Sequence, residues 1–204
     1  MLELGHVTVG SLQEHCYVLI DESINRSIVI DPGAEPDRIM RLIGDSAVQA
    51  ILLTHAHGDH IGAVDAIRNV TNAPVSIHPA ELPSIGSIRV DQHLADGQTI
   101  MLGNHLIRSI HTPGHTPGMI TFMLDDNRAI VGDTIFEGGP GRTWNADGFR
   151  STLDTLRNVV LTWPDNTICY PGHGPSFRLG DVREGIERFV ARDHPANFHG
   201  DAEW

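Results

Sequence analysis

Residues Thr54–His60 read THAHGDH and place three imidazoles and a carboxylate, His55, His57, Asp59 and His60, within one short stretch. Imidazole and carboxylate are the common protein ligands of zinc and iron. His55 and His57 stand two apart, which puts their side chains on the same side of an extended segment, so the pair can grip one ion together. Gly58 lets the backbone turn sharply, leaving Asp59 and His60 to aim at a second point. A single histidine beside a strand reads as a solvated or packed side chain. The pattern H-x-H-x-D-H reads instead as one loop feeding two metal positions.

Other donors recur in similar settings. HTPGHTPG runs from His111 to Gly118, Gly132-Asp133-Thr134 follows the apolar run ending at Val131, and PGHG spans Pro171–Gly174. Each offers His or Asp at a strand end beside Gly or Pro, residues that fix unusual backbone shapes. Each is a weak signal alone; their recurrence after successive strands strengthens the metal-site reading.

The elements that must position these donors are legible as short apolar, β-branched runs bounded by turn residues. Strands are expected near Val7–Val9, Tyr17–Ile20, Ser27–Asp31, Ala50–Leu53, Pro74–His78, Thr99–Leu102, Leu106–Ile110, Met119–Leu124, Ala129–Val131 and Thr167–Tyr170. Helical spacing is expected at Pro36–Ile43, His60–Asn69, Phe149–Val160 and Val182–Arg192. No Ser/Gly-rich linker or low-complexity tract divides the chain, so one mixed α/β domain over 1–204 is the simplest account. A strand, donor loop and helix around residues 50–69 and again around 129–160 suggest two β-layers meeting at an edge where loops converge, with helices outside.

Composition narrows the function classes. The chain has 204 residues, 40% hydrophobic and 20% charged, long enough to bury a real core and globular in balance. A formal net charge of −12 offers no broad basic face, so nucleic acid is not an expected partner. The first residues lack a basic start followed by an apolar stretch, no run approaches the ~18 to 20 apolar residues of a membrane span, and a cytoplasmic location is expected. Cys16 and Cys169 read as free thiols. The sequons at Asn25 and Asn69 are not expected to be used.

Together these motifs resemble the metallo-β-lactamase superfamily, and within it the glyoxalase II-like hydrolases. The resemblance runs from IDPG at Ile30–Gly33 through the donor motifs to YPGHGP at Tyr170–Pro175. It implies an αββα sandwich, two mixed β-sheets flanked by helices, with a metal site at one edge. It also implies that His55, His57 and His115 hold a first ion, that Asp59, His60 and His173 hold a second, and that Asp133 bridges them. Two divalent ions about 3.5 Å apart can share a hydroxide formed near neutral pH while one polarises a carbonyl. Zinc is the first expectation, with iron or manganese as alternatives. The implied reaction is hydrolysis of a small ester or thioester by metal-bound hydroxide. Asp133 and Asp59 are its catalytic carboxylates, the first offsetting the dications and the second orienting the hydroxide.

The segment GDTIFEGGPGRTW, Gly132–Trp144, is similar to the stretch that glyoxalase II and the related persulfide dioxygenases carry after the bridging aspartate. Arg142 is a candidate for a substrate carboxylate, with a structural bond to the adjacent turn as the competing reading, and Phe136 and Trp144 are candidate cleft walls. His111 takes a supporting place, because the family pattern uses the second histidine of HTPGHTPG. His6, His15, His78, His93 and His105 lack ligand spacing. The segment after His173 lacks the separate helical region through which glyoxalase II binds glutathione; its His194, His199, Asp201 and Glu203 read as an ordinary surface tail. A rival oxidoreductase reading follows from the persulfide dioxygenases, which hold a single iron through the equivalents of His55, His115 and Asp133. The chain has neither the length nor the charge for the inserted domain of nuclease members. Monomer and homodimer both stay open.

Overall fold

The computed structural model describes residues 1–204. Its first sheet is built in chain order from β1 (Leu2–Val9), β2 (Glu14–Asp21), β3 (Arg26–Ile30), β4 (Ala47–Leu52), β5 (Val75–Ile77) and β6 (Gln92–His93). β1 to β3 pair antiparallel, and β3 to β6 pair parallel. The parallel crossovers carry α1 (Pro36–Ile43) between β3 and β4, then α2 (Gly58–Ile61) and α3 (Val64–Thr71) between β4 and β5.

The second sheet comprises β7 (Thr99–Leu102), β8 (His105–His111), β9 (Ile120–Leu124) and β10 (Arg128–Gly132), joined as an antiparallel meander. A two-stranded ribbon, β11 (Ile135–Phe136) with β12 (Gly139–Pro140), leads to α4 (Ala146–Asn158). β13 (Ile168–Pro171) then joins β10 in parallel, followed by β14 (Phe177–Arg178) and α5 (Leu179–Ala191).

Strand alternation sorts the apolar side chains into three layers. Leu19, Ile28, Ile30 and Leu52 face Ile107, Ile120, Phe122 and Ile130 between the sheets. The intervening Val18, Val29 and Ile51 turn outward onto Ile39, Ile43, Val64 and Ile67 of α1 and α3. Ala129, Val131 and Cys169 likewise turn onto Phe149, Leu156, Ile186 and Phe189 of α4 and α5. Strands such as Arg26–Ile30 are therefore apolar on both faces, the pattern of a sheet covered on each side. The result is the expected αββα sandwich. Each buried Leu, Ile or Phe contributes roughly 1.5–3 kcal/mol, so these layers are the main fixed support for the loops at their edge.

Helix ends follow local chemistry. α1 starts with Pro36, carries Asp37 in its first turn and Arg41 in its last, and stops at Gly44 with φ 60°. Asn145 caps α4 by accepting a hydrogen bond from the Gly148 N–H at 2.8 Å.

The helix expected over His60–Asn69 is split at Gly62–Ala63. The Ala63 N–H donates to the Pro32 carbonyl at 2.9 Å, and the Pro32–Gly33 backbone crosses at the break. A Cβ on Gly62 would meet the Gly33 carbonyl oxygen at 2.4 Å, and one on Gly33 would meet the Asp59 carbonyl oxygen at 1.6 Å. This crossing between the loop after β3 and the loop after β4 tolerates only glycine. β6, the β11–β12 ribbon and β14 were not expected, since two-residue strands leave no periodic pattern to read. Gly33→Ala is expected to cost about 1–3 kcal/mol, as overpacking does, measured from the urea midpoint. Because the displaced atom belongs to Asp59, bound metal per chain should fall with it.

Candidate metal centre

Five donor positions follow strand ends: Asp31 after β3, His55 after β4, His115 after β8, Asp133 after β10 and His173 after β13. Loops beyond the carboxyl ends of parallel strands are the usual place for a ligand site in an α/β sheet. Here the loops converge. His57 Nδ1 lies 3.1 Å from His55 Nε2 and 2.9 Å from His115 Nε2. Asp59 Oδ2 lies 3.2 Å from His173 Nε2 and 3.8 Å from His60 Nε2. Asp133 sits between the two groups, with Oδ2 3.5 Å from His115 Nε2 and 3.7 Å from His173 Nε2, and Oδ1 3.4 Å from His60 Nε2.

The outer nitrogens determine what the inner ones can be. The Nδ1–H of His60 donates to Asp31 Oδ2 at 3.0 Å, that of His115 to the Arg142 carbonyl at 2.7 Å, and that of His173 to the Leu12 carbonyl at 3.0 Å. Thr54 Oγ1 gives its own proton to Asp31 Oδ2 at 2.6 Å, and so accepts from His55 Nδ1 at 3.0 Å. In the neutral imidazoles each Nε2 then presents a bare lone pair, and the lone pairs face one another. His60 Nε2 and Asp133 Oδ1 are buried with no hydrogen-bond partner. A buried donor set with unmatched lone pairs fits cations, and the groups His55–His57–His115 and Asp59–His60–His173 fit a two-metal centre.

Without ions the site's own protons respond to this crowding. Burial works against charge on His60, but the facing carboxylates of Asp133 and Asp31 outweigh it and hold its pKa well above the ordinary value. Burial likewise opposes charge on His173, and Asp59 and Asp133 raise it. Burial lowers His55 and His57, assisted by their neighbouring imidazoles. The His173 bond holds Asp59 down at about 2. Asp133 is lowered too, because His60, His115 and His173 overcome its burial.

The sequence model of the metallo-β-lactamase superfamily matches residues 9–173. The chain belongs to the metallo-β-lactamase superfamily. It is 35% identical over 187 residues to the probable metallo-hydrolase YqgX of Bacillus subtilis, covering 82% of this chain and 88% of that one. It is 29% identical over 198 residues to the hydroxyacylglutathione hydrolase GloC of Haemophilus influenzae, covering 87% and 93%. Among solved structures it is similar to TTHA1623 in a di-iron-bound form, with TM-score 0.75 and 30% identity over 88% of this chain and 96% of that one.

Around this superfamily site the structure places residues that the motifs did not single out. Asp31 accepts from the Thr54 N–H and hydroxyl and from His60, and it holds φ 52°, a left-handed conformation that Asp adopts at some cost. Glu81 is buried and accepts from the Ala56 N–H at 2.9 Å and the Gly118 N–H at 2.7 Å, tying the His55–His57 loop to the loop that carries His115. Glu14 is buried 3.8 Å from His60 Nδ1, and burial pushes its pKa up to about 10. The sequence signals for Asp31 were its place at the end of an apolar strand and in the IDPG motif, neither of which gave it a role; Glu14 and Glu81 gave none.

Of the candidate substrate residues, Arg142 and Trp144 line a cleft and Phe136 does not. This cleft, of about 690 Å³, is bounded by Leu12, His57, Asp59, Arg142, Trp144 and His173 among others. Trp144 is exposed and meets His57 edge-on with ring centres 6.0 Å apart, and Phe136 lies 6.3 Å from His173. Arg142 spans the Trp144 ring at 5.3 Å and pairs with Asp201, not with the adjacent turn. The segment read as a surface tail is thus part of the cleft wall. His111 lies outside the cluster: its Nε2–H donates to the Pro117 carbonyl at 2.8 Å, and its ring stacks on His78.

Asp31→Asn, which changes the acceptor behind His60, is expected to weaken zinc binding 10- to 100-fold, read by competition with a chromophoric chelator. A pH dependence also follows. His60 and His173 have folded-state pKa values raised by facing carboxylates, so the stabilisation from their protons is present at low pH and lost as pH rises through those values. Burial raises Glu14 from 4.5 to about 10, so its charging opposes folding over that range. The metal-free protein should therefore lose stability as pH rises above the ordinary imidazole value of 6.5, and the zinc-loaded protein should lose less, because ions displace the protons of His60 and His173. Urea midpoints with and without chelator test this.

Proposed function

We propose that this chain is a metal-dependent hydrolase that cleaves a small ester or thioester in the glyoxalase II-like manner. The observation that carries the reading is the pair of three-donor groups His55–His57–His115 and Asp59–His60–His173, with the Asp133 carboxylate between them, 3.5 Å from His115 Nε2, 3.4 Å from His60 Nε2 and 3.7 Å from His173 Nε2. His55, His57 and His115 would hold one divalent ion, Asp59, His60 and His173 the other, and Asp133 both. Zinc is the leading choice, with iron or manganese accepted by the same donors. Bound there, such ions bring water ionisation near neutral pH and polarise a carbonyl.

The chain's own groups do the rest. Asp59, with its pKa near 2, stays anionic at working pH, and its carboxylate can accept a proton-bearing group at the cleft floor. Asp133 keeps negative charge between the imidazoles. Trp144 gives the substrate an aromatic wall on one side of the cleft. Arg142, the only Arg or Lys on the cleft wall, can take a substrate carboxylate through its planar fork. Cys16 and Cys169 are fully buried in the outer cores, so neither thiol can reach the substrate as a nucleophile. The relative GloC bears the name of a hydroxyacylglutathione hydrolase, which supports a thioester over other acyl compounds.

The single-iron dioxygenase reading shares the H-x-H-x-D-H donors, so metal content and the reaction catalysed, not the donor set, separate the two. Metal analysis run beside a thioester panel and an oxygen electrode with glutathione persulfide tests the proposal. Two ions per chain, thioester cleavage and no oxygen uptake are expected, with His57→Ala lowering kcat/KM at least 100-fold, about 2.7 kcal/mol of transition-state stabilisation. One iron per chain with persulfide-dependent oxygen uptake would overturn it.

A further inference from the structure

The Arg142 guanidinium is already occupied. Segment 198–204 brings Asp201 to the cleft wall and is fixed on both sides of it. Before it, Gly200 and Thr143 exchange backbone hydrogen bonds at 2.9 and 3.1 Å. After it, the Trp204 indole N–H donates to the Glu137 carbonyl at 2.8 Å, while the ring packs against Phe189 and over Gly185. Ala202 lies so close to Gly139 that a Cβ there would meet its carbonyl oxygen at 2.2 Å. The backbone of Asp201 is therefore held in place, and its carboxylate is delivered to Arg142 within a cleft that also contains Asp59 and Asp133.

The pair itself is weak. Side-chain exposure is 50% for Arg142 and 77% for Asp201, and ion pairs this open to water exchange readily. Asp201 can swing away without disturbing the anchored backbone. The Arg142 guanidinium has a second contact that Asp201 lacks, lying over the Trp144 ring at 5.3 Å.

Resting on the reading of this cleft as the substrate site, we propose that Asp201 is a specificity-determining residue. Its carboxylate is an intramolecular competitor for Arg142, which a substrate carboxylate must displace and a neutral substrate need not. The segment thereby sets the preference between anionic and neutral acyl compounds without touching the reacting bond.

The test uses the metal-loaded protein and glutarate, a non-hydrolysable dicarboxylate, as the probe. Calorimetric titration should show Asp201→Asn binding glutarate about three- to tenfold more tightly than wild type, with the gain absent in an Arg142→Gln background. Asp201→Glu should behave as wild type. In turnover, Asp201→Asn should lower KM by a similar factor for a carboxylate-bearing thioester at nearly constant kcat, leaving the KM of its methyl-ester twin in place. No tightening, a gain that persists with Arg142→Gln, or equal KM shifts for both twins would overturn the proposal. If wild type cleaves no thioester, the functional reading falls, while the glutarate titrations still decide the role of Asp201.

Discussion

Electron pairs that face one another without protons between them are the constraint on which the rest of this structure depends. The Nε2 atoms of His55, His60, His115 and His173, with His57 Nδ1 and the carboxylates of Asp59 and Asp133, point into a shared volume. Held as neutral rings and anions, they repel. The raised pKa values of His60 and His173 show the chain relieving that repulsion with its own protons when no other cation is supplied. Metal affinity here is therefore a competition between ions and protons for the same lone pairs.

Holding such a cluster together requires bonds directed from outside. Each comes from a different part of the chain: Asp31 behind His60, Thr54 behind His55, the Arg142 carbonyl behind His115 and the Leu12 carbonyl behind His173. These acceptors fix the tautomer of each ring, and so decide which nitrogen is left for an ion. Glu81 performs the same service for backbone, joining loops from the two sheets. The Gly33–Gly62 crossing then brings the loop carrying Asp31 against the short helix carrying Asp59 and His60. The sandwich layers supply rigidity, and the outer acceptors supply direction.

Much of this was readable from the amino-acid order, for a physical reason: metal donors are a small set of residue types, and their clustering in Thr54–His60 is dense enough to stand out. Apolar alternation likewise gave the long strands, since the two faces of each are buried against different layers. What could not be read is whatever depends on depth or on distant backbone. Asp31, Glu14 and Glu81 are carboxylates by type, and nothing local separates a buried acid from a solvated one. The break at Gly62–Ala63 has its cause at Pro32, in another loop. Residues 198–204 carry Phe198 and Trp204 among polar side chains, and which surface these aromatics cover depends on where Phe149, Phe189 and Glu137 happen to lie.

The contact between His173 and Leu12 spans 161 positions of the chain. It joins the turn of the first hairpin to the loop after β13, and His15 reinforces it with its backbone N–H on Gly172 and its ring on Gly174, each at 2.8 Å. Loop-closure entropy makes so distant a meeting among the costliest the chain undertakes. The Asp59–His60–His173 donor group is therefore complete only once both ends of the sequence have come together. A half-folded chain can still present the local pair His55 and His57 to a scavenged ion, but complete metallation reports a finished topology.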